Sequence, residues 1–233
     1  MRFTSALVRG RLLRRYKRFL ADVELEDGRV VTAHCPNPGS MLGLSAPESA
    51  IWVQPVDGPG RKLKFSWKLV ELEDGHLAGI DTGVPNRVVG EALRAQAVPA
   101  VAEYSNVRAE VPYGKQSRVD FLLTEPGLPD AYLEVKNVHT RRQGDLAEFP
   151  DCVTARGARH LEELADMVAA GHRAVMLYLV QRTDCARLAF AADLDPTYAR
   201  TAATARKAGV EMICHATKIT REGVWLAQPL PVA

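Results

Sequence analysis

With 233 residues and a net charge of +2, the chain is long enough for one large domain or two modest ones, and any affinity for a polyanion must come from how charge is distributed. Ordinary apolar and charged fractions, 47% and 25%, exclude wholesale disorder. Cys35, Cys152, Cys185 and Cys214 form no Cys-x-x-Cys pair, which argues against a disulfide framework or zinc site and for a reducing compartment.

Residues 1–8 are too short, and too soon followed by arginines, for a signal peptide. No apolar run is long enough to span a bilayer. A soluble, cytoplasmic protein with no membrane partner is the expectation.

Residues 1–82 read as short strands with turns: 3–9, 19–25, 30–35, 51–56, 63–72 and 77–80. Asp27-Gly28 and Asp74-Gly75 are hairpin signals. This pattern predicts a small all-β domain, an OB-like barrel. The barrel region also holds the clearest basic clusters. Seven bases and no acids lie in residues 1–18: Arg2, Arg9, Arg11, Arg14, Arg15, Lys17 and Arg18. A second cluster interleaves Arg61, Lys62, Lys64 and Lys68 with Phe65 and Trp67. Aromatics and bases together are how OB folds hold single strands. Alternation, however, puts Leu63, Phe65, Trp67 and Leu69 on one face, so the aromatics are read as core. Arg14, Arg15, Lys17, Arg18, Arg61, Lys62 and Lys64 are read as a phosphate-facing surface. The breaker-rich loop from His34 to Met41 is either an anion-accepting nest or a turn that sets dihedrals, the second being favoured on local chemistry.

Residues 81–86 have a linker's composition, and from 83 to 233 the character changes. Helices are expected at 85–98, 154–170 and 196–208, and strands at 106–113, 119–123, 132–138, 173–181 and 210–215. Helices then cover a mixed sheet, an α/β domain with its own core. Thr154 is placed to cap the second helix, and Arg156 beside that N-terminus is a candidate phosphate contact, an ordinary cap being the plainer reading.

The two strands at 119–123 and 132–138 carry an anomaly. Asp120 stands among Val119, Phe121, Leu122 and Leu123; Glu134 and Lys136 stand among Leu133, Val135 and Val138. Successive side chains in a strand face opposite ways, so Glu134 and Lys136 project together. If the strands are neighbours, Asp120 joins them on one face. Carboxylates are costly to bury unless paired, hydrogen-bonded or bound to a cation.

Asp120 followed by Glu134-Val135-Lys136 in this context resembles the PD-(D/E)xK nuclease superfamily, whose core is restriction-endonuclease-like. That resemblance implies that Asp120, Glu134 and Lys136 are catalytic and that Asp120 and Glu134 hold Mg²⁺ or Mn²⁺. An acid on the first helix often completes such sites; Glu91 is the candidate by position, ahead of Glu103 and Glu110. His139 and His160 lie near enough to meet substrate, yet a lone histidine is more often structural, and neither is assigned a catalytic role.

Five ordered blocks resemble a second, more specific group. Residues 15–23 (RYKRFLADV), 34–41 (HCPNPGSM), 117–123 (SRVDFLL), 132–138 (YLEVKNV) and 149–157 (FPDCVTARG) are similar to the sugar fermentation stimulation protein A (SfsA) family. Pro38 and Cys152 depart from the residues expected there. The resemblance implies an OB-like domain, a nuclease-like domain, DNA binding and a role in sugar-metabolism gene expression. Three functions follow as expectations. The first is a DNA-binding protein that is also a Mg²⁺-dependent nuclease. The second is a non-catalytic DNA-binding regulator with a vestigial site, and the third a metal-dependent enzyme acting on a small sugar phosphate. DNA is the expected partner; the oligomeric state is open, a homodimer included.

Overall fold

The computed structural model describes residues 1–114 and 117–233. Strands β1 (Val8–Tyr16), β2 (Leu20–Leu25), β3 (Val30–His34), β4 (Ala50–Pro55) and β5 (Phe65–Glu71) form a closed barrel in the order β3-β2-β1-β4-β5. The closing pair is β3 with β5, and β6 (Leu77–Gly79) adds to β5. Gly28 takes the positive φ that the β2–β3 turn needs, as the Asp-Gly signal implied. Leu12, Val23, Ile51 and Trp67 are fully buried in the barrel core.

The first strand differs from its expected position. It begins at Val8, not residue 3, and runs through the basic stretch, whose residues alternate with inward-facing Gly10 and Leu12. Acids on neighbouring strands, with Glu48 in the turn before β4, neutralise most of its outer face. Arg9 pairs with Glu71 at 2.5 Å, Arg14 with Asp22 at 2.8 Å, and Arg11 with Glu24 and Glu48. Residues 1–3 instead lie against the C-terminal domain, where Phe3 N donates to Glu222 O at 2.9 Å.

The second domain holds a mixed sheet in the order β15-β14-β12-β9-β8-β7. Its strands are β7 (Asn106–Tyr113), β8 (Ser117–Thr124), β9 (Ala131–Val138), β12 (Arg173–Val180), β14 (Glu211–Thr220) and β15 (Gly223–Leu230). Helix α1 (Val84–Arg94) packs on one face, with Val88, Val89 and Leu93 against Phe121, Leu133 and Leu177. Helices α2 (Ala155–Ala169) and α3 (Pro196–Lys207) cover the other through Leu161, Leu164 and Tyr198 against Met176 and Tyr178. Three short strands, β10 (Thr140–Gln143), β11 (Leu146–Phe149) and β13 (Arg187–Phe190), form a side sheet that the hydrophobic pattern did not signal. The expected final strand is also longer, continuing into the β14–β15 hairpin. No helix among the described residues is long and apolar enough to cross a membrane.

The domains are joined by backbone. Gly79 N donates to Gln181 O at 2.8 Å, and Thr183 N to Leu77 O at 3.0 Å, which stitches β6 to the chain leaving β12. Trp52 and Leu69 of the barrel enter the α1-side core.

Candidate metal and phosphodiester site

Strands β8 and β9 pair only from Phe121–Leu123 to Ala131–Leu133. One step further along that register, Asp120 stands opposite Glu134. There the carboxylate of Asp120 replaces the backbone partner: Oδ2 accepts from Val135 N at 2.7 Å. Oδ1 accepts from Asn86 Nδ2 at 2.7 Å, so the first turn of α1 holds Asp120 from the other side. Gly90 lets α1 sit this close, since a Cβ there would meet the Phe121 ring at 3.0 Å.

Glu134 is 3% exposed. Its Oε1 is held by Lys136 Nζ at 2.8 Å and by His160 Nδ1. Arg156 Nε donates to His160 Nε2 at 3.1 Å, which makes that nitrogen an acceptor and puts the imidazole proton on Nδ1, facing Glu134. Thr154 caps α2 through Gly157 N at 3.2 Å, and the helix thereby presents Arg156 and His160 on successive turns. The second oxygen, Glu134 Oε2, is buried and accepts no hydrogen bond among the described residues.

Burial pushes the Asp120 carboxyl up to about 6, and the charge of Glu134 adds to this against the donors Val135 and Asn86. Burial also raises Glu134, but the hydrogen bond from His160 and the charge of Lys136 outweigh it and leave Glu134 below its ordinary value. One strongly acidic and one reluctant carboxylate thus share a buried site beside an ammonium. An added cation would relieve both the desolvation and the mutual repulsion.

Among the described residues, no group of three or more His, Cys, Asp or Glu side chains is arranged as a metal cage. Two carboxylates, one with an unclaimed buried oxygen, fit a hard cation that keeps several waters, as Mg²⁺ does. Glu91 is not part of this arrangement. Its carboxylate lies 2.6 Å from the Met1 ammonium and is 57% exposed. It follows Asn86 by five residues, about 140° round a helix of 3.6 residues per turn. Glu91→Gln is accordingly expected to leave Mn²⁺ affinity within about two-fold of wild type by calorimetry, with Asn86 as the residue α1 supplies.

His160 lies in the buried stripe of α2 beside Leu161 and Leu164, a polar residue on an apolar face, and this was the available signal for its role. If Glu134 holds a metal, His160 orients that ligand, and its loss should cost about 10–100-fold in metal affinity. His160→Ala is expected to show that loss in Mn²⁺ titration. His160→Gln, which keeps a donor, should recover part of it.

A second polar chain links the site strand to the barrel. Gln181 Nε2 donates to Asn137 Oδ1 at 2.6 Å, Asn137 Nδ2 lies 2.9 Å from His139 Nδ1, and His139 Nε2 lies 3.6 Å from Asp151 Oδ2. Asp151, held down at about 2 by His139, is met by Ser40 Oγ at 3.3 Å. The loop after β3 therefore packs beside the start of α2. Arg15 is consumed in shaping that loop, donating to the carbonyls of Asn37 at 2.8 Å and Gly39 at 2.9 Å. The loop is thus a turn built around buried Asn37, its carbonyls pointing at arginine. Arg61, Lys62 and Lys64 are exposed on the segment before β5, while Trp67 is core.

Comparison with known proteins follows the same division of the chain. Residues 83–223 match the sugar fermentation stimulation protein RE domain, and residues 13–80 the SfsA N-terminal OB domain. A sugar fermentation stimulation protein homolog of Dinoroseobacter shibae is 64% identical over 233 residues, covering 100% of this chain and 96% of its own. One from Jannaschia sp. is 61% identical, covering 100% and 97%. Among solved structures, Pyrococcus furiosus SfsA in complex with Ca²⁺ superposes with a TM-score of 0.88 at 24% identity, over 100% of this chain and 98% of that one, a likeness of fold.

Proposed function

The chain belongs to the sugar fermentation stimulation protein (SfsA) family, and we propose that this member is a divalent-metal-dependent phosphodiesterase acting on DNA. The observation that carries the reading is Glu134 Oε2, a buried carboxylate oxygen without a partner among the described residues, in a side chain whose other oxygen is fixed by Lys136 and His160. That a relative's structure was determined with Ca²⁺, another hard oxygen-seeking cation, is in keeping with it.

Asp120 and Glu134 would hold Mg²⁺ or Mn²⁺, which supplies polarisation of a phosphoryl oxygen and a water acidic enough to attack near neutral pH. The chain's own residues do the rest. Asn86 and the Val135 amide keep Asp120 at the mouth between β8 and β9. His160, its tautomer set by Arg156, turns Glu134 so that Oε2 is the free oxygen. Lys136 is placed to donate to the nucleophile or to charge building on phosphorus. Lys17, Arg18, Arg61, Lys62 and Lys64 would bring the strand in by its phosphates. Incubating labelled single-stranded, duplex and branched DNA with protein and Mg²⁺ or Mn²⁺ tests the reading: metal-dependent cleavage is expected.

A second reading has an observation of its own. Both oxygens of Asp120 are already engaged, and among the described residues no third carboxylate joins the pair. These features favour a DNA-binding regulator in which the site binds a cation without cutting. DNA binding that is steep in salt, metal-independent and unaccompanied by any product would select it. In either case a role in stimulating sugar fermentation, the activity for which the relatives are named, would act through DNA.

A further inference from the structure

We infer that the β1–β2 tip, Lys17-Arg18-Phe19, with His34 beside it, is a stacking platform for unpaired bases of a DNA strand. This rests on the DNA reading above and narrows its substrate class to strands with exposed base faces.

A single exposed apolar side chain needs no explanation. Phe19 differs in how it is held. The residue is 46% exposed, yet its backbone carbonyl accepts from Cys35 N at 2.8 Å. The ring lies nearly parallel to the His34 imidazole, at 6.5 Å and 18°. The two residues before it are both left-handed without being glycine, Lys17 at φ 47° and Arg18 at φ 62°. Such conformations are uncommon for these residue types and persist only where surrounding contacts over-determine them. Those contacts are present. Arg15 donates to Arg18 O at 3.1 Å, and Arg18 Nη2 donates to Pro38 O at 3.2 Å. An aromatic held out on a braced tip loses little freedom on binding.

The two residues before it are both cations. Arg9, Arg11 and Arg14 are neutralised by acids of neighbouring strands, whereas Lys17 and Arg18 form no salt bridge among the described residues. The pairing of His34 with Ser66 brings the segment before β5 alongside, and with it the second basic cluster. Burial, and after it the charge of Arg61, hold His34 below its ordinary value against the opposing charge of Asp81. The sequence separates the two basic clusters by more than forty residues; the barrel closure sets them on either side of one aromatic pair. Bases stack on such rings regardless of sequence, and their phosphates meet the flanking cations. The tip is also on the catalytic side. Arg18 holds Pro38, Ser40 of the same loop meets Asp151, and Asp151 precedes the helix that carries Arg156 and His160. A duplex buries its base faces and gains nothing from Phe19.

The test is fluorescence anisotropy of the full chain, in EDTA, on a labelled oligothymidine and on a duplex of equal length. Phe19→Ala is expected to weaken single-strand binding by about 5–100-fold, with duplex binding within about two-fold. Phe19→Trp should restore or tighten it, and Val30→Ala, an exposed apolar residue at the far end of β3, should change nothing. Single-strand binding unchanged in Phe19→Ala, or an equal loss on duplex, overturns the platform while leaving the DNA reading intact. No binding of either form by wild type overturns both.

Discussion

Asp120→Asn is expected to abolish metal-dependent cleavage and, in the same protein, to raise the stability of the metal-free fold. Asp120 is ionised at neutral pH in a buried place next to Glu134, and its carboxyl titrates at about 6 rather than the ordinary 3.8. A folded-state value above the unfolded one means that the ionised group opposes folding, by up to about 3 kcal/mol at pH well above 6. Asparagine removes the charge and keeps the shape. Its oxygen can still accept from Val135 N, and Asn86 can turn to offer its own oxygen. The sign fixes a pH dependence. The variant's advantage should be full above about pH 7, shrink as pH falls through 6, where Asp120 takes up a proton, and be gone near 4. Urea unfolding in EDTA at several pH values checks this. Saturating Mn²⁺ should reverse the order, because only wild type gains the binding energy. A structural salt-bridge role for Asp120 would give loss of stability at every pH.

The second large effect is expected of Lys136→Ala: a fall of about 10²–10³-fold in cleavage rate at saturating metal, the usual cost of removing one electrostatic donor from a transition state. Metal affinity should hold or rise. Lys136 contributes positive charge 2.8 Å from Glu134 Oε1, which competes with a cation for the same carboxylate. Glu134 would keep its hydrogen bond from His160, so its orientation survives. A lower rate with undiminished Mn²⁺ affinity separates a residue acting on the phosphoryl group from one that merely holds a ligand. Parallel losses of both would assign Lys136 to ligand positioning.

The path from sequence to this site is uneven. Asp120, Glu134 and Lys136 were legible because a strand's period of two makes a charge inside an apolar run conspicuous and tells which charges share a face. Helix α2 was legible from its helical spacing and its Thr154 cap. Glu91 was misplaced because the choice rested on residue type, an acid on the first helix, whereas the phase of α1 is set by Val88, Val89 and Leu93 on the sheet and aims Asn86 at Asp120. Arg14 was read as phosphate-facing because its partner, Asp22, lies on another strand, as do Glu24 and Glu71, while Glu48, which meets Arg11, lies in the turn before β4. Their pairing depends on a barrel register that composition does not carry. The side sheet of β10, β11 and β13 was invisible for a related reason. Its strands are four residues long and partly polar, too short to show a period, and Ala147, Phe149, Leu188 and Phe190 join the core under α2 and α3 only once the chain is folded.

His160 shows a different limit. On one helix it reads as a lone histidine; only the packing of α2 over β9 places it between Arg156 and Glu134 and gives its tautomer a direction. The polar chain from Gln181 to Ser40 likewise draws on four separate stretches of sequence, and no local pattern announces it.

Asp120, Glu134 and Lys136 are proposed to form a working metal-dependent phosphodiesterase site. The most direct measurement follows a labelled DNA panel with Mn²⁺ or Mg²⁺, comparing wild type, Lys136→Ala and wild type in EDTA. Product that forms with wild type and metal, disappears in EDTA and falls by at least about a hundred-fold in Lys136→Ala is the predicted result. No product from any DNA form with either metal, or product that Lys136→Ala makes equally well, would contradict it.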